Sequence, residues 1–117
     1  MRHLLTIYFD ESAAADADPE QTKQVVAAYE AVTEEMRSKD VLVAGDGIQP
    51  SSTARTIRVQ NGSPRVSDGP FAETREQLGG FYLLDVKDTA AAEEWAAKIP
   101  GAQWGCVEVR PVLDYDA

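Results

Sequence analysis

Cysteine and histidine are almost missing from this chain, with Cys106 and His3 their only representatives among 117 residues. A single thiol excludes an intrachain disulfide and suits a reducing compartment. One histidine and one cysteine far apart make no zinc spacing, and the scattered carboxylates form no calcium-loop pattern, so no metal is expected. No cofactor is expected either, because Gly45-Asp46-Gly47 follows a strand pattern without opening a helix, unlike a phosphate-cradling loop. Long apolar runs are also lacking. The opening segment Leu4-Leu5-Thr6-Ile7-Tyr8-Phe9 is too short for a signal-peptide core or a membrane span. Basic residues are few, 11 against 20 acidic ones, for a net charge of −9. Such a surface repels phosphate backbones and anionic lipid. The expectation is a soluble cytoplasmic protein that binds neither nucleic acid nor membrane.

What is present is the material of one globular domain. A chain of 117 residues with 44% apolar content can bury roughly two-thirds of its unfolded surface and needs no covalent staple. Leu4 to Phe9, apolar and bounded by Asp10-Glu11-Ser12, reads as a strand, and Ala13 to Ala17 as a loop of small residues. Asp18 as N-cap, Pro19 at the first helical position and Gln21 at N3 predict a helix start. Val25, Tyr29, Val32 and Met36 then mark one helix face ending near Lys39. Val41 to Ala44 reads as a short strand broken by the glycines that follow.

Thr53 to Gln60 alternates in strand fashion, and Asn61-Gly62 predicts a tight hairpin turn with Arg65-Val66-Ser67 returning antiparallel. Phe81 to Val86 is a strand with apolar residues in both phases. Asp88-Thr89 can cap a second helix whose stripe is Ala92, Trp95, Ala96 and Ile99, stopped by Pro100-Gly101. Gly105 to Leu113 supplies the last strand. Strand, helix, strand, hairpin, strand, helix, strand is an α+β order, matching a ferredoxin-like sheet with two helices on one face and an additional hairpin strand. Two helices cover one sheet face only. Apolar side chains in both phases of the first strand and of Phe81 to Val86 leave the other face bare in a monomer. Each such side chain is worth about 1.5–3 kcal/mol when buried, so a face-to-face homodimer is expected.

The segment Asp68-Gly69-Pro70-Phe71, continuing through Ala72-Glu73-Thr74-Arg75-Glu76-Gln77-Leu78-Gly79-Gly80, sets backbone specialists around a polar loop. This wording resembles the signature of the DGPF group among the YCII-related proteins, and the resemblance runs from Leu4 to Val112. It implies a dimeric α/β barrel with a ferredoxin-like subunit. It also implies, for some members, a regulatory role linked to sigma-factor-dependent transcription. YCII-like relatives have been proposed to use a His–Asp dyad in acid–base chemistry. This chain departs from that pattern, with no histidine in the first helix or the central loops.

The residues themselves point to a small-molecule cleft on the second sheet face at the homodimer interface, without naming a reaction. Tyr8, Arg58, Glu108 and Arg110 lie in the more polar strand phases, and Tyr82 is taken as the contribution of its strand. Asp68, Glu73 and Arg75 would form the rim. Against this stand plainer readings. Glu108 and Arg110 fit better a last strand that faces water or pairs across a dimer, since such residues are usually exposed. Asp68 before Gly-Pro is ordinary turn chemistry, with Phe71 as the pin that seats the turn. Thr74 and Gln77 fit a capping box for a single helical turn. His3, beside the N-terminus, is expected in solvent. Cys106 is expected to be a packed small residue rather than a nucleophile, and Trp95 and Trp104 core or interface anchors.

Overall fold

A computed structural model describes residues 1–116. Strand β1 (Arg2–Phe9) leads into a short helix α1 (Glu11–Ala15) and a long helix α2 (Pro19–Ser38). Strand β2 (Leu42–Gly47) follows, then β3 (Arg55–Gln60), β4 (Ser63–Asp68) and β5 (Gln77–Asp85). Helix α3 (Thr89–Lys98) and strand β6 (Cys106–Pro111) complete the chain. Four strands form one antiparallel sheet in the order β2-β5-β1-β6, which is the ferredoxin-like arrangement.

Local chemistry explains the helix boundaries. The Asp18 carboxylate accepts from the Gln21 amide at 2.8 Å while the Gln21 side chain accepts from the Asp18 N–H at 3.3 Å, a reciprocal capping box. Asp88 caps α3 through the Ala91 N–H at 2.9 Å. The segment read as a loop of small residues is instead the helix α1, because Asp10 accepts from Ser12 at 3.0 Å and caps it. Strand β2 also runs further than its glycines suggested, pairing with β5 through Gly47 across a bulge at Val43. No helical turn forms at Thr74. Its hydroxyl donates to the Glu76 carbonyl and the Gln77 amide donates back to the Thr74 carbonyl, so the segment closes as a turn.

The core lies between the sheet and the two long helices. Leu5, Met36, Leu84 and Ile99 are fully buried, with Ile7, Val32, Tyr82, Val86, Ala92 and Ala96 around them. His3 belongs to this core rather than to solvent, at 0% exposure. Its place in β1 puts it in the same phase as Leu5 and Ile7, beneath the start of α3. The Met1 carbonyl, which can only accept, lies 3.3 Å from Nδ1, and the Thr89 hydroxyl lies 3.0 Å from Nε2. Nδ1 therefore carries a proton, and Nε2 pairs with the Thr89 hydroxyl, tying the first strand to the second long helix. Lys98 ties the helices to each other, pairing with Glu35 of α2 while lying 4.9 Å over the Trp95 ring.

The hairpin departs from expectation in one respect. It adds no strand to the main sheet but forms a separate two-stranded ribbon, β3 with β4. The radius of gyration is 16.2 Å, against roughly 13 Å for a compact domain of this length. The ribbon, set apart from the main sheet, contributes to the excess.

Replacing Thr89 with valine removes the hydroxyl facing His3 and strands a buried ring nitrogen. The expected cost is about 1–3 kcal/mol in chemical denaturation. A loss below a few tenths of a kcal/mol would show that the His3–Thr89 bond holds nothing.

Candidate functional site

Three regions receive the residues singled out from the sequence. The open sheet face takes Tyr8, Glu108 and Arg110. Register sets Leu4 opposite Leu83 and Arg110, Thr6 opposite Phe81 and Glu108, and Tyr8 opposite Cys106. Leu4, Tyr8, Phe81 and Leu83 thus make a partly buried apolar centre that no helix among the described residues covers. Asp46, opposite Phe81, flanks it on the β2 edge. On the β6 edge Arg110 Nε donates to Glu108 at 2.9 Å, so these two pair along their own strand.

Cys106 belongs to this face and is exposed, not packed. Its Sγ lies 3.9 Å from Glu76. Desolvation first, and the Glu76 carboxylate second, push the thiol above its ordinary range.

The ribbon and its root take Arg58, Asp68, Glu73 and Arg75. Arg58 does not join Tyr8, because the hairpin closes its own sheet and carries the side chain away from the four-stranded one. Asp68 ends β4 and pairs with Arg55 at 3.1 Å, while Gly69 takes φ +89°, so the motif builds the base of the ribbon. Phe71 does not seat this turn, being 80% exposed. Glu73 and Arg75 lie exposed in the loop that follows.

The third region takes Tyr82, on the opposite side of the sheet from Tyr8. Alternation along β5 puts Phe81 and Leu83 on the open face and Tyr82 and Leu84 beneath the helices. There α2 packs tightly only over its C-terminal half. Val32 and Met36 are buried, whereas Val25 and Tyr29 are half-buried and Val26 is exposed. Between the overhanging half and the sheet lies an open cavity of about 1350 Å³. Its walls include Phe9, Val25, Tyr29, Tyr82 and Trp104, and its floor is Gly45, Gly47, Gly79 and Gly80. Gly79 is required because the Phe9 ring crosses 2.1 Å from where its Cβ would stand. Gly47 is different. A Cβ there would meet nothing closer than the Gly79 carbonyl at 3.9 Å, so its missing side chain leaves space open.

Hydrogen bonding fixes the roles of the two phenols. The Thr33 hydroxyl donates to the Tyr29 carbonyl at 2.7 Å, which uses its one proton. The 2.7 Å contact between Thr33 and Tyr82 must then run from the Tyr82 O–H to Thr33 Oγ1, leaving the Tyr82 oxygen free to accept. Tyr29 is the reverse. Its oxygen accepts from the Gly101 N–H at 3.0 Å, leaving its own proton free to donate. Burial holds the Tyr29 phenol above its ordinary range, the Gly101 bond opposing, so it keeps that proton at neutral pH.

Comparison with known proteins decides the family. The model of the YCII-related domain matches residues 1–116. The chain belongs to the YCII-related family. This YCII-related protein is also similar to an uncharacterised protein of Rhizobium meliloti (strain 1021), 34% identical over 117 residues and covering 98% of this chain and 94% of the relative. Sequence reasoning missed Tyr29, Thr33 and Trp104 as cavity residues, since Tyr29 sits in a stripe that reads as core. The glycine pairs 45/47 and 79/80 were the available signal. Their facing register appears only once β2 and β5 are paired.

Because the Cys106 thiol is raised partly by a neighbouring charge, Glu76→Gln lowers the midpoint of the pH–rate profile for iodoacetamide alkylation. Below that midpoint the variant reacts faster. An unchanged profile would remove Glu76 from the account.

Proposed function

We propose that this YCII-related protein is a homodimeric small-molecule-binding protein whose ligand occupies the cavity between α2 and the glycine floor. The observation that carries this reading is the pair of phenols, one with a free donor and one with a free acceptor, within mostly apolar walls. Binding pockets are of this kind, apolar with a few convergent polar groups that orient the ligand. A complementary molecule is uncharged, flat enough to lie on glycine backbone, and presents an acceptor to Tyr29 and a donor to Tyr82. Phenols, lactams and amides on an aromatic or alicyclic frame have this chemistry. The homodimer reading is supported by the open face, whose apolar centre and charged flanks resemble interface anatomy. Stacking two copies there puts Tyr8, Glu108 and Arg110 along the seam, away from the cavity.

Titration with 2-naphthol and with a neutral metabolite extract, followed by intrinsic tryptophan fluorescence and by mass spectrometry of retained compounds, tests the cavity. Gly47→Val, whose Cβ enters open space above the floor, is expected to weaken binding roughly tenfold or more, about 1.4 kcal/mol, while thermal stability holds. Tyr29→Phe is expected to weaken ligands that carry an acceptor and to spare those that lack one. Binding indifferent to both substitutions would place the ligand elsewhere.

A further inference from the structure

The β3–β4 ribbon is an unusual object to leave in water. An isolated two-stranded hairpin is marginally stable, and every residue of β4 is exposed along with all of β3 except Thr56. Cross-strand register sorts its side chains into two kinds. Ile57 faces Val66 and Val59 faces Pro64 on one side. These apolar residues are bare, at 59% for Ile57, 70% for Val59 and 53% for Val66. On the other side Arg58 stands directly opposite Arg65. Among the described residues neither forms an ion pair. Like charges set opposite each other destabilise a ribbon unless an anion comes between them.

The root, by contrast, is firmly held. Glu11 accepts from both the N–H and the hydroxyl of Ser51 at 2.7 Å, and Arg55 pairs with Asp68. Thr56 donates to the Gly69 carbonyl at 2.8 Å. A fixed root with a bare apolar face and two unpaired guanidiniums is preorganised to bind, since little ordering remains to be done on contact.

We infer that this ribbon is a docking arm for a second copy of the chain, its apolar face against apolar surface and Arg58 and Arg65 against carboxylates. Charge selects that occupant. The ribbon carries Arg55, Arg58 and Arg65 against Asp68 alone, whereas the rest of the chain carries eight basic and nineteen acidic residues. A basic arm on an acidic body is attracted to another such body, and the same body repels nucleic acid. Strands lie only about 4.8 Å apart, so both arginine side chains can reach past the ribbon edge to carboxylates beside the apolar contact. The arm rests on the self-association proposed above but not on the stacking of the open faces.

Sedimentation equilibrium on the full chain, over a concentration series at low and high sodium chloride, tests the arm. Two variants serve: Ile57→Ser with Val59→Ser and Val66→Ser, and Arg58→Glu with Arg65→Glu. Far- and near-ultraviolet circular dichroism check that both keep the folded body, as expected for residues outside its core. The dimer dissociation constant is expected to rise roughly tenfold or more in each, with wild-type association weakening as salt is added. A wild-type dimer whose constant is unchanged in both variants overturns the arm and leaves self-association standing. A chain that is monomeric at every concentration overturns both. Loss of duplex-DNA binding in the arginine variant, with the dimer constant unchanged, overturns the arm in favour of a nucleic-acid contact.

Discussion

Strand β5 is apolar in both of its phases, and two long helices cover only one side of the sheet. Most of the architecture follows from that mismatch. Tyr82 and Leu84 enter the core with Leu5, Met36 and Ile99. Phe81 and Leu83 are left with Leu4 and Tyr8, partly buried, on a face that no helix among the described residues covers. Each is already partly buried, so covering it yields less than the about 1.5–3 kcal/mol of a fully exposed side chain, but four together still favour another surface closing over them.

The covered side has its own gap. Where β2 and β5 meet, four glycines put bare backbone beneath the first half of α2, so nothing rises from the floor to fill the space. The helix is held over it from the side, by Tyr82 on Thr33 and by the Gly101 N–H on Tyr29. These same bonds orient the phenols, which is why one geometry both props the cavity open and gives it a polarity. The projecting ribbon is the third consequence of a small sheet, since a hairpin that finds no place among four strands must stand apart.

Local signals in the sequence were reliable where the physics is local. The Asp18–Gln21 box, the Asp88 cap, the Asn61-Gly62 turn and the two-phase apolar strand are all readable from neighbours in the chain, and the ferredoxin-like order follows from them. What was hidden depends on long-range register. Whether Tyr82 shares a face with Tyr8, whether the hairpin joins the main sheet, and whether His3 lies under a helix are decided by pairings across many residues. His3 shows the limit well, because nothing near it in sequence announces Thr89. Cys106 and Phe71 were misplaced for the same reason, since their burial depends on elements far along the chain.

The most direct test of the central claim asks whether the open face is covered in solution. Hydroxyl-radical footprinting read by mass spectrometry, across a dilution series, reports on Phe81 and Leu83 individually. The account predicts that both are protected at micromolar concentration and become labelled on dilution, while Val59 at the ribbon tip is followed separately. Full labelling of Phe81 and Leu83 at every concentration would mean that this sheet tolerates a bare apolar face, contradicting the account.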